Sequence, residues 1–178
     1  MGGVFVMISD RFEKAYEDVL NYEGGYINHP SDSGGATRYG ITQRVAREFG
    51  YYGDMRHFPL DKSKEIYYQR YWKEPNFDLI DDEEISIELF EQGVNMGTVI
   101  SILNLQRTYN LLSDKLIKVD GILGSNTAGA INKYRYPDDI FLWLNIYQGM
   151  RYINLANSNS KLKDFIRGWG KRVVLQRK

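Results

Sequence analysis

Residues 21–42 read NYEGGYINHPSDSGGATRYGIT and lie between the first two helical patterns of the chain. The segment holds five glycines, two carboxylates, one His and three Tyr, and few of its side chains are apolar enough to bury. This composition predicts a tight polar loop or a small hairpin that displays its side chains, rather than a part of the core. Because functional residues are often carried by loops on a rigid scaffold, the segment is the first candidate for a functional site.

Around this segment the sequence predicts a mainly α fold. Apolar residues recur at helical spacing in about seven or eight segments, of which the first spans residues 8–20 and the last residues 161–174. Glycines follow several of these segments, as at Gly24 and Gly50, where a helix is expected to end. The prediction is therefore a helical scaffold with a small hairpin or loop that carries the chemistry.

Charge and composition argue against several classes of function. The 178-residue chain has 23 Lys and Arg against 23 Asp and Glu, so its net charge gives no indication of a nucleic-acid partner. It has no Cys, which excludes disulfides and thiolate metal sites. No apolar run approaches the length of a membrane span, so no stable membrane insertion is expected. His29 and Asp32 are only two potential ligands on one loop, and neither a metal nor a cofactor is predicted.

Glu23 is the residue predicted to act as an acid. It follows Val19 by four residues, which places it on the apolar side of the last turn of the first predicted helix. Desolvation by that apolar face and the negative end of the helix dipole both disfavour its charged form, and both are expected to raise its pKa. A carboxylic acid that stays protonated near neutral pH can protonate a leaving oxygen.

Asp32 and Thr37 complete the predicted catalytic group. Asp32 lies inside the polar loop, where backbone N–H groups of the nearby glycines can keep it ionised, and Thr37 can position a water. Two carboxylates in opposed environments are the arrangement used in glycoside hydrolysis. The alternative is that Glu23 is only a helix-end carboxylate and Asp32 an Asx-turn residue, and spacing alone leaves both interpretations open.

The motifs of the chain resemble those of glycoside hydrolase family 108, which comprises bacterial and phage N-acetylmuramidases. Residues 23–26 (EGGY), together with the loop that runs to residue 42, resemble the signature of that family. Residues 89–97 (LFEQGVNMG) are similar to its Phe-Asp-x-x-Val-Asn-x-Gly segment. Residues 105–107, 119–127 and 165–173 resemble its C-terminal module, which is described as peptidoglycan-binding.

This resemblance implies a lysozyme-like fold and a specific reaction. The expected reaction is hydrolysis of the β-1,4 bond between N-acetylmuramic acid and N-acetylglucosamine in the glycan strands of peptidoglycan, with Glu23 as the catalytic acid. Residues 1–97 are expected to form the catalytic region, and residues 98–178 a helical peptidoglycan-binding region packed on it. Phage-type lysozymes, a looser comparison, carry Glu-x8-Asp-x5-Thr, and this chain has Glu-x8-Asp-x4-Thr with Asp32 and Thr37.

The substrate is expected to contact further side chains near the loop and in the second motif. The candidate substrate-binding residues are Tyr26, His29, Tyr39, Glu91 and Asn95. The tyrosines can stack on sugars or pack in the core, and Asn95 can bind an N-acetyl group or cap a helix break. His29, Ser33 and Glu91 depart from the residues usual in the family. These departures leave open a weak or inactive cell-wall-binding or secretion-related protein on the same scaffold.

The N-terminal residues bear on where the protein is expected to act. Residues 1–7 are apolar, but they carry no Lys or Arg and are too short for the apolar core of a signal peptide. The expectation is a monomer made in the bacterial cytoplasm that acts in the periplasm or cell wall. Export is expected to depend on a holin, as for a phage or prophage endolysin, or on a specialised route.

Overall fold

Two units make up the chain in the computed structural model, which describes residues 9–22, 25–27 and 34–177. They comprise Met1–Glu74 and Pro75–Lys178. Both are mainly helical, and the strands of the described residues are confined to one small hairpin. The mainly α class predicted from the sequence is confirmed, and it is consistent with a lysozyme-like fold. The functional division predicted from the sequence stays a prediction.

Local sequence signals set the helices of the first unit. These are α1 (Asp10–Tyr22), α2 (Gln43–Glu48), a 3₁₀ turn (Met55–His57) and α3 (Leu60–Ile66). The carbonyl of Ser9 accepts hydrogen bonds from the N–H groups of Phe12 and Glu13 at 2.9 and 3.1 Å, and α1 begins there. Thr42 caps α2 by accepting a hydrogen bond from the Val45 N–H at 3.4 Å.

The core of the first unit is aromatic and forms where α1 packs against the continuation of α3. The ring of Phe12 lies edge-on to the rings of Tyr68 and Trp72, with centroids 5.0 and 5.8 Å apart. One turn later, the ring of Tyr16 lies 5.6 Å from that of Tyr67. These side chains are buried, and rings packed at such distances stabilise the core beyond the area that they bury.

The continuation of α3 is a π-helical segment, Tyr67–Lys73. Its wider turn is visible at its end, where the Glu74 N–H donates to the carbonyl of Gln69, five residues earlier, at 2.9 Å. The segment begins with Tyr67, whose hydroxyl donates to the carbonyl of Tyr39 at 3.2 Å. The segment therefore both fills the core and supports the loop predicted to carry the function.

The second unit is built on a bundle of three long helices, α4 (Glu83–Met96), α5 (Thr98–Leu112) and α7 (Pro137–Ser158). Gly97 joins α4 to α5 with φ 96°, a backbone conformation that favours glycine. The smaller elements are a 3₁₀ turn (Phe77–Leu79), α6 (Ser125–Asn132), a second 3₁₀ segment (Ser160–Phe165) and α8 (Ile166–Gly170). A membrane-crossing helix, long and apolar throughout, does not occur in the part of the chain that the structure describes.

The single helix predicted over residues 161–174 is wrong. The segment is a 3₁₀ stretch followed by the five-residue α8, and none of their residues is buried. Gly168 and Gly170 each disfavour a helix by about 1 kcal/mol relative to alanine, and no buried face compensates for that cost. The segment is held instead by Trp169, whose ring stacks on that of Tyr152 with centroids 5.0 Å apart.

A buried amide on α5 holds the loop between α5 and α6. The Gln106 Oε1 accepts hydrogen bonds from the backbone N–H groups of Asp120 and Gly121 at 3.0 and 2.8 Å. Its Nε2 donates to the carboxylate of Asp120 and the carbonyl of Ile122 at 3.0 and 3.1 Å. One side chain therefore satisfies several polar groups of a loop that has no strand partner.

Replacing Gln106 by Leu is expected to lower the free energy of unfolding by about 2–4 kcal/mol, because the loop loses its partners while the site stays largely closed to water. Urea unfolding followed by circular dichroism measures this change. Gln176→Leu, a change at an exposed glutamine of the same unit, is the matched control. Equal stability of the two variants would show that the loop does not depend on Gln106.

Candidate functional site

The predicted site residues fall into three groups. The first group, Glu23, His29 and Asp32, lies outside the residues that the structure describes. On or beside the hairpin of the first unit lie Tyr26, Thr37 and Tyr39. On α4 of the second unit lie Glu91 and Asn95. The structure thus brings three of the predicted residues together in the first unit.

A two-stranded hairpin with one additional β-bridge, here called the β element, organises the second group. The strands β1 (Thr37–Arg38) and β2 (Ile41–Thr42) pair antiparallel, with Thr37 opposite Thr42. On the other side of β1, the N–H and carbonyl of Ile27 form hydrogen bonds of 2.9 and 2.7 Å with Thr37. These two bonds hold Ile27 beside Thr37, and His29 and Asp32 occur between these two positions in the sequence.

Tyr39 occupies a strained position at the tip of this hairpin. Its φ is 51° and that of Gly40 is 73°, the combination of a type I′ turn, in which Asn, Asp or Gly is usual at the first position. A tyrosine in this conformation costs about 1–3 kcal/mol. Contacts hold it there, since the Arg38 guanidinium lies 4.9 Å from its ring centroid and donates to its hydroxyl at 3.1 Å. Strain supported in this way is typical of functional positions.

The hydroxyl of Thr37 is buried, and within the described part of the chain it has no hydrogen-bond partner. Leaving a buried hydroxyl unpaired costs about 1–3 kcal/mol. A hydroxyl can donate one hydrogen bond and accept two. Thr37 therefore has free capacity to hold a water or a polar group at the base of the loop.

An open groove of about 700 Å³ runs beside the β element. Its lining combines tyrosine rings with a charged pair, contributed by Tyr26, Tyr52, Asp54 and Arg56. Tyr26 is 41% exposed and Tyr52 is 79% exposed, so both rings are accessible to a ligand. A tyrosine offers an apolar ring face and a polar hydroxyl, which together suit a sugar.

Asp54 and Arg56 form an ion pair in this groove that the sequence did not suggest. The Arg56 Nε donates to the Asp54 Oδ2 at 2.9 Å, and the Arg56 backbone N–H donates to the Oδ1 at 2.8 Å. These hydrogen bonds lower the pKa of Asp54 to about 2, with the side-chain bond as the main cause. Asp54 is therefore ionised at neutral pH and cannot serve as a proton donor there. In the sequence, Gly53 and Asp54 indicate only a turn or loop, because both residue types are common there.

Of the two predicted residues of α4, Asn95 contacts the C-terminal segment of the same unit. The Asn95 Nδ2 donates to the carbonyl of Glu91, one turn earlier, at 2.8 Å. Its Oδ1 accepts a hydrogen bond from the guanidinium of Arg172. Asn95 thus has both ends of its amide engaged, and the motif at residues 89–97 meets the motif at residues 165–173.

A second carboxyl of α4, which the sequence analysis missed, is buried in the same unit. Glu88 is 4% exposed, and its Oε1 accepts a hydrogen bond from the Gln92 Nε2 at 2.8 Å. Burial is the main cause that raises the pKa of Glu88, to about 8. Among the described residues, no group of three His, Asp or Glu side chains is placed to hold a metal ion.

Two family models match the chain, and solved structures are similar to it. Residues 16–97 match the family described as Glycosyl hydrolase 108, and residues 101–174 match the Predicted Peptidoglycan domain. The structure of Brucella abortus SagA is similar at 26% identity and a TM-score of 0.71, over 91% of this chain and 88% of the SagA chain. No curated protein matches the sequence. Glu23, Asp32 and Thr37 all fall within the first matched range.

Proposed function

Because residues 16–97 belong to the glycosyl hydrolase 108 family and residues 101–174 to the predicted peptidoglycan domain family, we propose that the chain is an N-acetylmuramidase. In this proposal it hydrolyses the β-1,4 bond between N-acetylmuramic acid and N-acetylglucosamine in peptidoglycan. The coarser role, that of a peptidoglycan-related glycoside hydrolase, follows from the two matches themselves. The observation that supports cleavage of this specific bond is the first match, which covers the EGGY motif at residues 23–26 and the sequence after it.

Three residues are proposed to carry the reaction. Glu23 protonates the glycosidic oxygen as the bond to it breaks. Asp32 is the second carboxylate, which supports the positive charge that develops on the sugar or activates the attacking water. Thr37 orients that water, and its buried hydroxyl, unpartnered within the described residues, supports this role.

The groove of the first unit is proposed to hold the glycan strand. Sugars of the strand stack on the exposed rings of Tyr26 and Tyr52, while their hydroxyls bond to Asp54 and Arg56. The position of Tyr39 at the strained tip of the hairpin supports a further contact there. His29, Glu91 and Asn95 stay proposed substrate contacts.

The second unit is proposed to keep the enzyme on its polymer. The match of residues 101–174 supports binding to peptidoglycan. The proposed site of action is accordingly the periplasm or the cell wall, reached as a monomer after holin-type release or by a specialised export route.

Digestion of purified peptidoglycan tests the proposed bond specificity. The soluble products are reduced with borohydride and identified by mass spectrometry. We expect reduced N-acetylmuramic acid at the newly formed ends. Reduced N-acetylglucosamine or anhydro-sugar ends would assign a different cleavage. Binding to the wall without any new reducing ends would favour an inactive cell-wall-binding protein.

A further inference from the structure

A pocket of about 490 Å³ lies between α5 and α7 in the second unit. Asn104 and Arg107 line it from α5, three residues apart on one face of the helix. Tyr147, Arg151 and Asn154 line it from α7, again at helical spacing. Each helix thus contributes one arginine and at least one side-chain amide to the same cavity.

The two arginines give this pocket a positive charge. No Asp or Glu is among the described residues that line it. The Nε of Arg151 is buried, and among the described residues it has no hydrogen-bond partner. Arg177 of the same unit shows the usual arrangement, since it pairs with the carboxylates of Asp82, Glu84 and Asp138.

An unpaired guanidinium in a pocket favours an anionic ligand. A buried charged donor without an acceptor costs more than a neutral one, and a bound anion would supply the missing acceptor. A guanidinium presents parallel N–H groups that a carboxylate accepts in pairs. The geometry of the pocket is therefore suited to a carboxylate held by Arg151, with Arg107 at the exposed edge.

The other side chains that line the pocket indicate which kind of molecule bears the bound carboxylate. The amides of Asn104 and Asn154 can each donate to and accept from a peptide group. The amide of Asn104 is held in place, because its Nδ2 donates to the Gln92 Oε1 at 3.4 Å. Ile100 and Met150 add apolar surface, against which small apolar groups of a ligand can pack. Positive charge, amides and small apolar contacts together suit a short acidic peptide better than a neutral sugar.

We propose that this pocket binds the stem peptide of peptidoglycan through its free carboxylates, an inference that rests on the proposed function. The sugars of the glycan strand are N-acetylated, and the lactyl carboxyl of muramic acid is bound in an amide to the peptide. The free carboxylates therefore lie on the peptide, and a doubly cationic pocket recognises that part of the polymer. The groove of the first unit takes the glycan, and the pocket of the second takes the peptide.

Isothermal titration of the full chain with the tripeptide L-Ala-γ-D-Glu-meso-diaminopimelate tests this inference. A version of the tripeptide with every carboxylate converted to carboxamide is the matched ligand. We expect the charged tripeptide to bind at least about tenfold more tightly than the amidated one, and its affinity to fall as salt rises. Equal binding of the two peptides, or no binding of either, would overturn the inference.

Variants at the two arginines locate the binding. Arg151→Gln and Arg151→Lys are each expected to weaken binding by about tenfold or more, since neither side chain provides the paired N–H groups. Arg107→Gln, at an exposed position, is expected to weaken binding without affecting folding, so it tests the site even if Arg151 variants fold poorly. Arg135→Gln, an exposed arginine of the same unit outside the pocket, is the control and should bind as the wild type does.

Two outcomes separate this inference from the proposed function. A wild-type chain that cleaves peptide-free glycan strands but does not bind the tripeptide would overturn only the assignment of the pocket. A chain that binds the tripeptide through Arg151 but cleaves no glycan would overturn only the assignment of the reaction. Displacement of the tripeptide by an equal concentration of inorganic phosphate would show a general anion site, contrary to the proposal.

Discussion

Replacing Glu23 by Gln is expected to reduce the release of reducing ends from purified peptidoglycan by at least about 100-fold. Gln has nearly the same shape as Glu, but it cannot give a proton to the leaving oxygen of the glycosidic bond. The effect should appear in the turnover rate, while binding of the variant to peptidoglycan stays close to that of the wild type. The measurement is a reducing-sugar assay at saturating substrate, together with a wall-binding assay.

The matched control for this variant is Glu17→Gln. Glu17 lies on α1, six residues before Glu23, and its side chain is exposed. Glu17→Gln makes the same Glu-to-Gln change in the same region of the sequence, without removing the proposed acid. Similar turnover by the two variants would reject Glu23 as the acid and require another proton donor.

Helices and their buried faces could be predicted from the sequence because both depend on neighbours along the chain. Phe12, Tyr16 and Val19 are buried on one face of α1, as their helical spacing indicates. The hairpin was also visible, since a glycine-rich polar segment has little to bury. In contrast, the π-helical segment Tyr67–Lys73 has no recognised sequence signal in this chain, and its apolar spacing resembles that of an ordinary α-helix.

Contacts between distant positions could not be predicted from a single sequence. The motifs at residues 105–107 and 119–127 were each recognised, but only the structure shows that Gln106 holds the backbone of Asp120. Nothing local to Gln106 distinguishes it from an exposed glutamine. The same holds for Arg107 and Arg151, which lie far apart in sequence and line one pocket.

The candidate catalytic residues could be proposed from the sequence because the motif that contains Glu23 is local. The EGGY motif and the loop after it could be identified from adjacent residues alone. The ion pair of Asp54 and Arg56 could not, since short charged pairs are common on surfaces and few of them have a role. Glu88 was missed for a related reason. Ile85, Ile87 and Leu89 predict that parts of α4 are buried, but they do not reveal that the helix face of Glu88 is buried too.

Glu88 gives the largest expected effect on stability. The folded chain keeps the proton of Glu88 up to about pH 8, whereas the unfolded chain loses it near the ordinary pKa of 4.5. Folding therefore takes up a proton between these values, and the free energy of unfolding falls as the pH rises. The expected slope is about 1.4 kcal/mol per pH unit, which amounts to about 4 kcal/mol by pH 8.

Glu88→Gln is expected to remove this pH dependence. Gln is neutral at every pH, and its carbonyl oxygen can keep the hydrogen bond from the Gln92 Nε2. The variant should match the wild type near pH 5 and exceed its stability by up to about 4 kcal/mol at pH 8. Differential scanning calorimetry of the variant and the wild type between pH 5 and pH 8 measures the difference in stability. The relevant transition is the unfolding of the second unit, which contains Glu88.

Glu83→Gln on the same helix is the control that isolates burial as the cause. Glu83 is exposed in the first turn of α4, where its charge interacts favourably with the helix dipole. Its loss should cost less than about 1 kcal/mol and leave the pH dependence of the wild type intact. Groups that titrate elsewhere are common to all three proteins, so they cancel in the comparison. If Glu88→Gln and Glu83→Gln kept the same slope between pH 5 and 8, Glu88 could not be the buried acid that the packing of α4 implies.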